Sequence, residues 1–178
     1  MRHLIPLKKK SDIPEPFRGT PIGRLIEYHN LKRPFETYAK AQMLVGMCMD
    51  NRKYLHIPDN FAFILRAGGA NLLHSEFKVS FVIAVGGVST VALIGHTHCA
   101  MVNLKAKKKA FVDGLVAKAG WSRQEANRHF HKFAPQYEIG DAAEFTLRQA
   151  EHLENRYPKT LVVPMIYKVE DNLLYLLR

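Results

Sequence analysis

Twice in this chain a short apolar run breaks off onto side chains that bind metals. Val91-Ala92-Leu93-Ile94 stops at Gly95 and delivers His96-Thr97-His98-Cys99. Met43-Leu44-Val45-Gly46-Met47 delivers Cys48-Met49-Asp50-Asn51-Arg52. Apolar runs of this length, ended by a turn residue, read as buried strands. Imidazole and thiolate are both zinc ligands, but a histidine and a cysteine three residues apart do not make a site alone. A third ligand must come from elsewhere, and Cys48 is the one other cysteine in the chain. The fold must therefore bring the ends of two strands together.

The elements between the two runs suit that demand. Phe61 to Leu65 is a further apolar run, ending in Arg66-Ala67-Gly68-Gly69-Ala70-Asn71, whose glycines permit either an ordinary turn or backbone lining a pocket. Ser75 stands ahead of a helix carrying Phe77, Phe81, Val82 and Val85 at helical spacing, closed by Gly86-Gly87. Strand, loop, strand, helix, strand is the grammar of an α/β domain, so the spacing predicts a mostly parallel central sheet flanked by helices. In such sheets ligands bind at the carboxyl ends of the strands, where Cys48 and the His96/Cys99 pair would both lie.

The flanking segments are read the same way. Met1 to Arg18 has no periodicity and reads as an arm or a loosely packed lead-in. Thr20-Pro21 opens a helix with Ile22, Leu25 and Ile26 as its apolar stripe, and Phe35 to Ala41 is a second expected helical segment. Residues 1–40 thus form an N-terminal arm with short helices, and 41–178 the zinc-binding α/β domain, within a single domain overall. Later helices are expected over Ala110 to Lys118 with Gly120 as the stop, and from the capping-box spacings Ser122-Arg123-Gln124-Glu125 and Asp141-Ala142-Ala143-Glu144. The first of those two boxes should expose His129 and His131 and bury Phe130 and Phe133. Leu161 to Val169 and Leu173 to Leu177 read as strands about the turn Glu170-Asp171-Asn172, with Pro164 placing its strand at an edge or a bulge.

Bulk properties narrow the setting. At 178 residues the chain can bury a core without disulfides. Two cysteines and no secretory pattern argue for reduced thiols and a cytoplasmic protein. No apolar stretch is long enough to span a bilayer, so no membrane partner is expected. The net charge of +10 raises the question of nucleic acid, yet the lysine runs at Lys8–Lys10 and Lys105–Lys109 carry no interleaved aromatics. A solvated basic face, one that also draws in small anions, accounts for them.

If Cys48, His96 and Cys99 share one zinc, the fourth position decides the chemistry. Water there would be acidified to hydroxide near neutral pH, although two thiolates should blunt the effect relative to an all-histidine site. Asp50 and Arg52 are placed to assist. Two residues apart, they share one side of an extended segment. Asp50 as a carboxylate accepts the hydroxide's hydrogen, and Arg52 holds Asp50 by a bidentate pair that keeps it off the metal.

Cys48-Met49-Asp50-Asn51-Arg52, the Arg66 to Ala70 glycine loop and Gly95-His96-Thr97-His98-Cys99 resemble, in order, the C-x-D-x-R, glycine-loop and H-x-x-C motifs of the β-class carbonic anhydrases. The resemblance covers about Met43 to Met101. It implies a mostly parallel α/β fold, a homodimer or multiple of dimers, and one Zn2+ per chain on Cys48, His96 and Cys99. It also implies Asp50 and Arg52 as the catalytic dyad and reversible hydration of carbon dioxide to bicarbonate. Relatives in the family hydrolyse carbonyl sulfide or carbon disulfide on a similar site, which is the alternative activity. A third reading keeps the zinc as structural, with Asp50 as permanent fourth ligand, in a non-catalytic binding protein with a basic surface.

Two positions depart from the family's usual pattern: His98 where aspartate is common, and Ala100 where glycine follows the second cysteine. Adjacent side chains in extended backbone point apart, which argues against His98 as a ligand beside Cys99. A local hydrogen bond is the expected use of His98, and Ala100 is expected to tighten the backbone near the metal. The other histidines show no ligand spacing with a thiol.

Overall fold

The computed structural model describes residues 4–178 and contains one six-stranded sheet in the order β1-β6-β5-β4-β2-β3. The strands are β1 (Leu4–Pro6), β2 (Met43–Cys48), β3 (Ala62–Ala67), β4 (Thr90–His96), β5 (Leu161–Lys168) and β6 (Leu173–Leu177). β3, β2, β4 and β5 run parallel, and β6 is antiparallel to both β5 and β1. The helices are α1 (Pro21–His29), α2 (Glu76–Ala84), α3 (Leu104–Ala119), α4 (Arg123–Tyr137) and α5 (Ala142–Arg156). This is the expected α/β class.

Strand periodicity divides the core. Met43, Val45 and Met47 of β2, with Ala92 and Ile94 of β4, pack against Ile22, Leu25 and Ile26 of α1. The alternate residues Leu44, Val91, Leu93 and Val162 pack against Val79 and Val82 of α2 and Ala150 and Leu153 of α5. Side chains that alternate across a strand thus bury both faces, which is why the parallel strands read as continuous apolar runs. Thr20 caps α1 by accepting from Gly23 N, and Pro21 occupies the first helical position.

Several expectations are corrected. Phe35 to Ala41 is not helical. Seven residues after Pro34 have no cap to offset nucleation, and their side chains find partners only in an irregular path. Tyr38 hydrogen-bonds Tyr28 at 2.7 Å and Glu36 pairs with Arg24 at 3.0 Å. Of the lead-in, Met1–His3 lie outside the described residues; the remainder is tied down, with β1 on the sheet edge and Leu7 and Ile13 fully buried. β5 is interior and unbulged. Its proline is tolerated because the β5–β6 ladder begins only at Met165, leaving that side of Pro164 unpaired.

α2 also departs from its expected stripe. Val79 and Val82 are buried, while Phe77, Phe81 and Val85 are 82, 52 and 69% exposed. Gly86, just past α2, lies against Phe63 of the edge strand β3, and Phe63 and Ile64 are exposed too. α3 is longer than expected and ends at Gly120, which takes φ 71 as the C-cap. Ser122 with Glu125 forms the expected capping box on α4, and Asp141 accepts from Glu144 N at the start of α5. His129, expected to be exposed, is half-buried because α3 folds back over it: its ring stacks on Phe111 and meets Trp121 edge-on. Among the described residues no helix is long and apolar enough to cross a membrane.

Candidate metal centre

β2 and β4 are neighbours in register, Leu44 to Met47 opposite Val91 to Ile94, so both strands end at the same edge of the sheet. The chain leaves β2 for β3 on one side and returns to β4 on the other, and the crevice where strand order reverses is where such sheets bind ligands. Cys48 closes β2, His96 closes β4, and Cys99 sits in the turn just beyond. Their ligand atoms lie within 4.8 Å of one another, and all three residues are buried. The sequence-predicted trio is therefore brought together.

Three observations test whether these residues suit a metal ion. The sulfurs of Cys48 and Cys99 stand 4.0 Å apart, too far for a disulfide. Two thiolates on one tetrahedral zinc stand roughly 3.8 Å apart. His96 Nδ1 donates to Thr97 O at 2.8 Å, which fixes the tautomer with Nε2 bare. Nε2 is buried without a hydrogen-bond partner, an orphaned acceptor within the ligand group. The donor set fits a metal.

The surroundings favour negative charge on sulfur. Cys48 is pulled down to about 3, chiefly by its bond with the Cys99 thiol, whose own pKa is pushed up by the same bond and by burial. Each sulfur thus answers to the other, and negative charge is favoured on the Cys48 side. That side is also where Gly69 N donates to Cys48 Sγ at 3.2 Å. Gly69 has φ 66, and a Cβ there would press Ile139 at 2.6 Å, so glycine serves both the turn and the sulfur. Gly95 is needed for another reason: a Cβ there would collide with the Thr146 hydroxyl of α5, so α5 lies directly on β4 beside the site.

Asp50 and Arg52 lie against this group. Arg52 Nε and Nη2 donate to the two carboxylate oxygens of Asp50 at 3.0 and 2.7 Å, and Arg52 N adds a third bond at 2.9 Å. The guanidinium holds the Asp50 carboxyl well below the usual carboxylate range. Asp50 Oδ2 is 4.0 Å from His96 Nε2. Arg52 Nη2 also donates to His98 O at 2.8 Å, which links the two strand-end segments.

No protein-family model matches the sequence, and a search among curated proteins finds no match. Solved structures do match. The chain is similar to β-carbonic anhydrase isoform I of Trichomonas vaginalis, with TM-score 0.64 and 14% identity over 81% of this chain and 87% of that one. It is similar to the carbonic anhydrase of Streptococcus mutans, with TM-score 0.58 and 17% identity over 82 and 89%. An apo carbon disulfide hydrolase matches with TM-score 0.55 and 22% identity over 76 and 77%.

The fold is that of the β-carbonic anhydrases.

Within the β-carbonic anhydrase fold, the two departures behave as follows. His98 is not extended but left-handed, φ 55, and its exposed ring bonds Glu170 at 2.9 Å, away from the ligand group. Ala100 is exposed and lines an open cleft of about 730 Å³ along with His96, Cys99 and Ala142.

Three further neighbours brace the centre, two of them, Lys53 and Glu170, outside every motif. Lys53 is 2% exposed, with its ammonium 3.4 Å from Asp50 O, where it offsets the charge of the thiols and Asp50. Arg66 donates to Cys48 O and Lys53 O. Glu170 accepts from Thr97 and His98. Lys53 is legible only as one more cation after Arg52, and Glu170 only as a turn residue.

Proposed function

We propose that this chain is a zinc-dependent carbonic anhydrase-like enzyme, catalysing the reversible hydration of carbon dioxide to bicarbonate and a proton. Cys48, His96 and Cys99 hold one Zn2+ per chain, and Asp50 with Arg52 forms the catalytic pair. The observation that carries the reading is the carboxylate beside the ligand group, 4.0 Å from the bare His96 nitrogen yet held by two arginine nitrogens. A purely structural zinc with Asp50 as its fourth ligand would leave that grip without a purpose.

A zinc ion there supplies Lewis acidity that makes water nucleophilic near neutral pH. Asp50, kept ionised by Arg52, can only accept a hydrogen bond. At Oδ2 it would therefore accept a hydrogen bond from the O–H of the hydroxide that attacks, without removing the proton, and leave a lone pair of that oxygen toward the substrate carbon. The carboxylate cannot swing away without breaking its three bonds from Arg52, which is itself anchored on His98 O. Met49, Gly68 and Met101, neighbours of the ligands, help line an apolar pocket of about 270 Å³ with Phe111, Phe130 and Phe133. Such a wall suits a small uncharged substrate.

The same pocket favours a second reading, hydrolysis of carbonyl sulfide or carbon disulfide, which are also small and apolar. Metal analysis with stopped-flow carbon dioxide hydration and a sulfide-release assay separates the two. The first reading expects one zinc per chain and hydration that falls about 100-fold or more in Asp50→Asn with zinc retained. Sulfide release with negligible hydration favours the second, and a metal-free, inactive protein sinks both.

A homodimer, or a multiple of it, completes the proposal. Phe77, Phe81 and Val85 beside the open edge of β3 form an apolar face that a second copy would cover. Sedimentation should show a dimer that Phe77→Ser with Phe81→Ser dissociates. The two free buried thiols suit a cytoplasmic setting.

A further inference from the structure

Outside the strand-end cluster, one carboxylate grips two adjacent residues of its β4 side. Glu170, in the turn between β5 and β6, accepts from Thr97 Oγ1 at 2.7 Å on one oxygen and bonds His98 Nε2 at 2.9 Å on the other. Thr97 is gripped from behind as well, its Oγ1 accepting from Val169 N at 2.9 Å and its own N donating to Tyr167 O at 3.2 Å. The dipeptide Thr97-His98 is thereby closed against the β5–β6 turn at four points.

The two carbonyls of that dipeptide do different work. Thr97 O takes the Nδ1 hydrogen of His96 and so sets which nitrogen is free to bind metal. His98 O takes Arg52 Nη2 and so sets the angle at which Arg52 meets Asp50. His98 presents that carbonyl from left-handed backbone, φ 55, which an L side chain adopts at a cost. Each exposed bond to Glu170 would be weak alone. Here two adjacent donors converge on one carboxylate, so fixing one brings the other into place.

We propose that Glu170 is a positioning residue that orients the His96 imidazole and the Arg52–Asp50 pair together, through Thr97 and His98. The inference rests on the reading of Cys48, His96 and Cys99 as the zinc site. It adds a residue far from every motif in sequence.

The test uses the zinc-loaded full chain with Glu170→Ala, Glu170→Gln, Thr97→Val, Arg52→Ala and the double variant Arg52→Ala/Glu170→Ala. Direct second-layer partners of zinc ligands are worth roughly 10–100-fold in affinity, so this one-step-removed partner should be worth roughly 3–10-fold in chelator competition. Glu170→Ala should also open the Arg52 Nη2–His98 O contact in a crystal structure and lower kcat about 10-fold at full zinc occupancy, with KM little changed. Glu170→Gln, which keeps an acceptor for Thr97, should restore most of both effects. Thr97→Val should weaken zinc as Glu170→Ala does, and it stands in if the alanine variant fails to fold. The double variant should be no slower than Arg52→Ala.

Unchanged zinc affinity and an unmoved Arg52 in Glu170→Ala overturn the inference. So does an equal loss of kcat from Glu170→Ala with and without Arg52. A wild-type chain that loads zinc but hydrates no carbon dioxide refutes the proposed activity instead, and the affinity and the Arg52 contact still judge Glu170.

Discussion

β2 and β4 are buried along their whole length, whereas α3 and α4 together bury only Val112, Ala126 and Phe130. The two strands end on Cys48 and His96, two of the three residues proposed as metal ligands. The helical hairpin packs chiefly on itself, through the ring cluster of Phe111, His129, Phe130 and Phe133 and through exposed ion pairs such as Lys109–Asp113 and Arg123–Asp113. The contrast teaches where this chain keeps its rigidity. Ligands that must hold their positions to fractions of an ångström sit on elements fixed from both faces. The element that contributes cover and charge is under no such demand, and it lies outside Met43 to Met101, the stretch that the motif resemblance covers.

The contrast can be broken or sharpened by substitution. The largest effect is expected at the strand end itself: Cys48→Ser should lower zinc affinity at least about 100-fold, since losing a ligand costs more than losing its outer partners. Metal analysis after dialysis reads it. A loss no greater than that of a surface variant would deny that the strand ends form a metal site.

Next comes packing beneath the site. Ile94→Ala removes a fully buried side chain from β4 and should cost about 3 kcal/mol in urea unfolding, with Val112→Ala in α3 costing half of that or less. Equal costs would erase the distinction between strand and hairpin.

A pH effect of similar size belongs to the sheet face that α1 covers. Burial and the neighbouring Lys32 push His29 down to about 4, while its ring accepts from His56 N and donates to Asn172 O. Below about pH 6.5 the unfolded chain takes up a proton that native His29 refuses until about pH 4. Its contribution is therefore full above 6.5 and is lost as pH falls toward 4, about 3 kcal/mol in all. An NMR titration should show the His29 ring still neutral at pH 5. A midpoint near 6.5 would refute the assignment.

The smallest effect should lie on the hairpin. Lys109→Ala or Arg123→Ala breaks only an exposed pair and should change stability by less than about 1 kcal/mol. A larger loss, measured by thermal melting, would mean the hairpin supports the sheet after all.

Much of the site was legible because its signal is local. An apolar run followed at once by Cys48, or by His96 and Cys99, names both a strand and what stands at its end, and parallel pairing then needs no further information to join them. What escaped the sequence was long-range or conditional. Nothing near Glu170 announces a bond to Thr97 and His98, which only the β5–β6 turn brings close. Pro164 argued for an edge or a bulge, but an interior strand accepts it where a neighbour stops short. Phe35 to Ala41 had helical residues without the cap that would start them. α2 presented one apolar stripe in sequence, of which only Val82 turns inward while Phe77, Phe81 and Val85 face outward.

The pairing of β1 with β6 sets a folding order. Leu4 meets Leu177, so this ladder closes a loop of nearly the entire described chain, while the strands that bear the ligands are drawn from Met43 to His96. The entropy of closing a loop must be met before its contacts repay it, and the longer closure is the slower one. The strand nearest the start of the chain is thus expected to dock last, on a sheet whose Cys48, His96 and Cys99 are already together, and its amides should be the first to exchange with deuterated solvent.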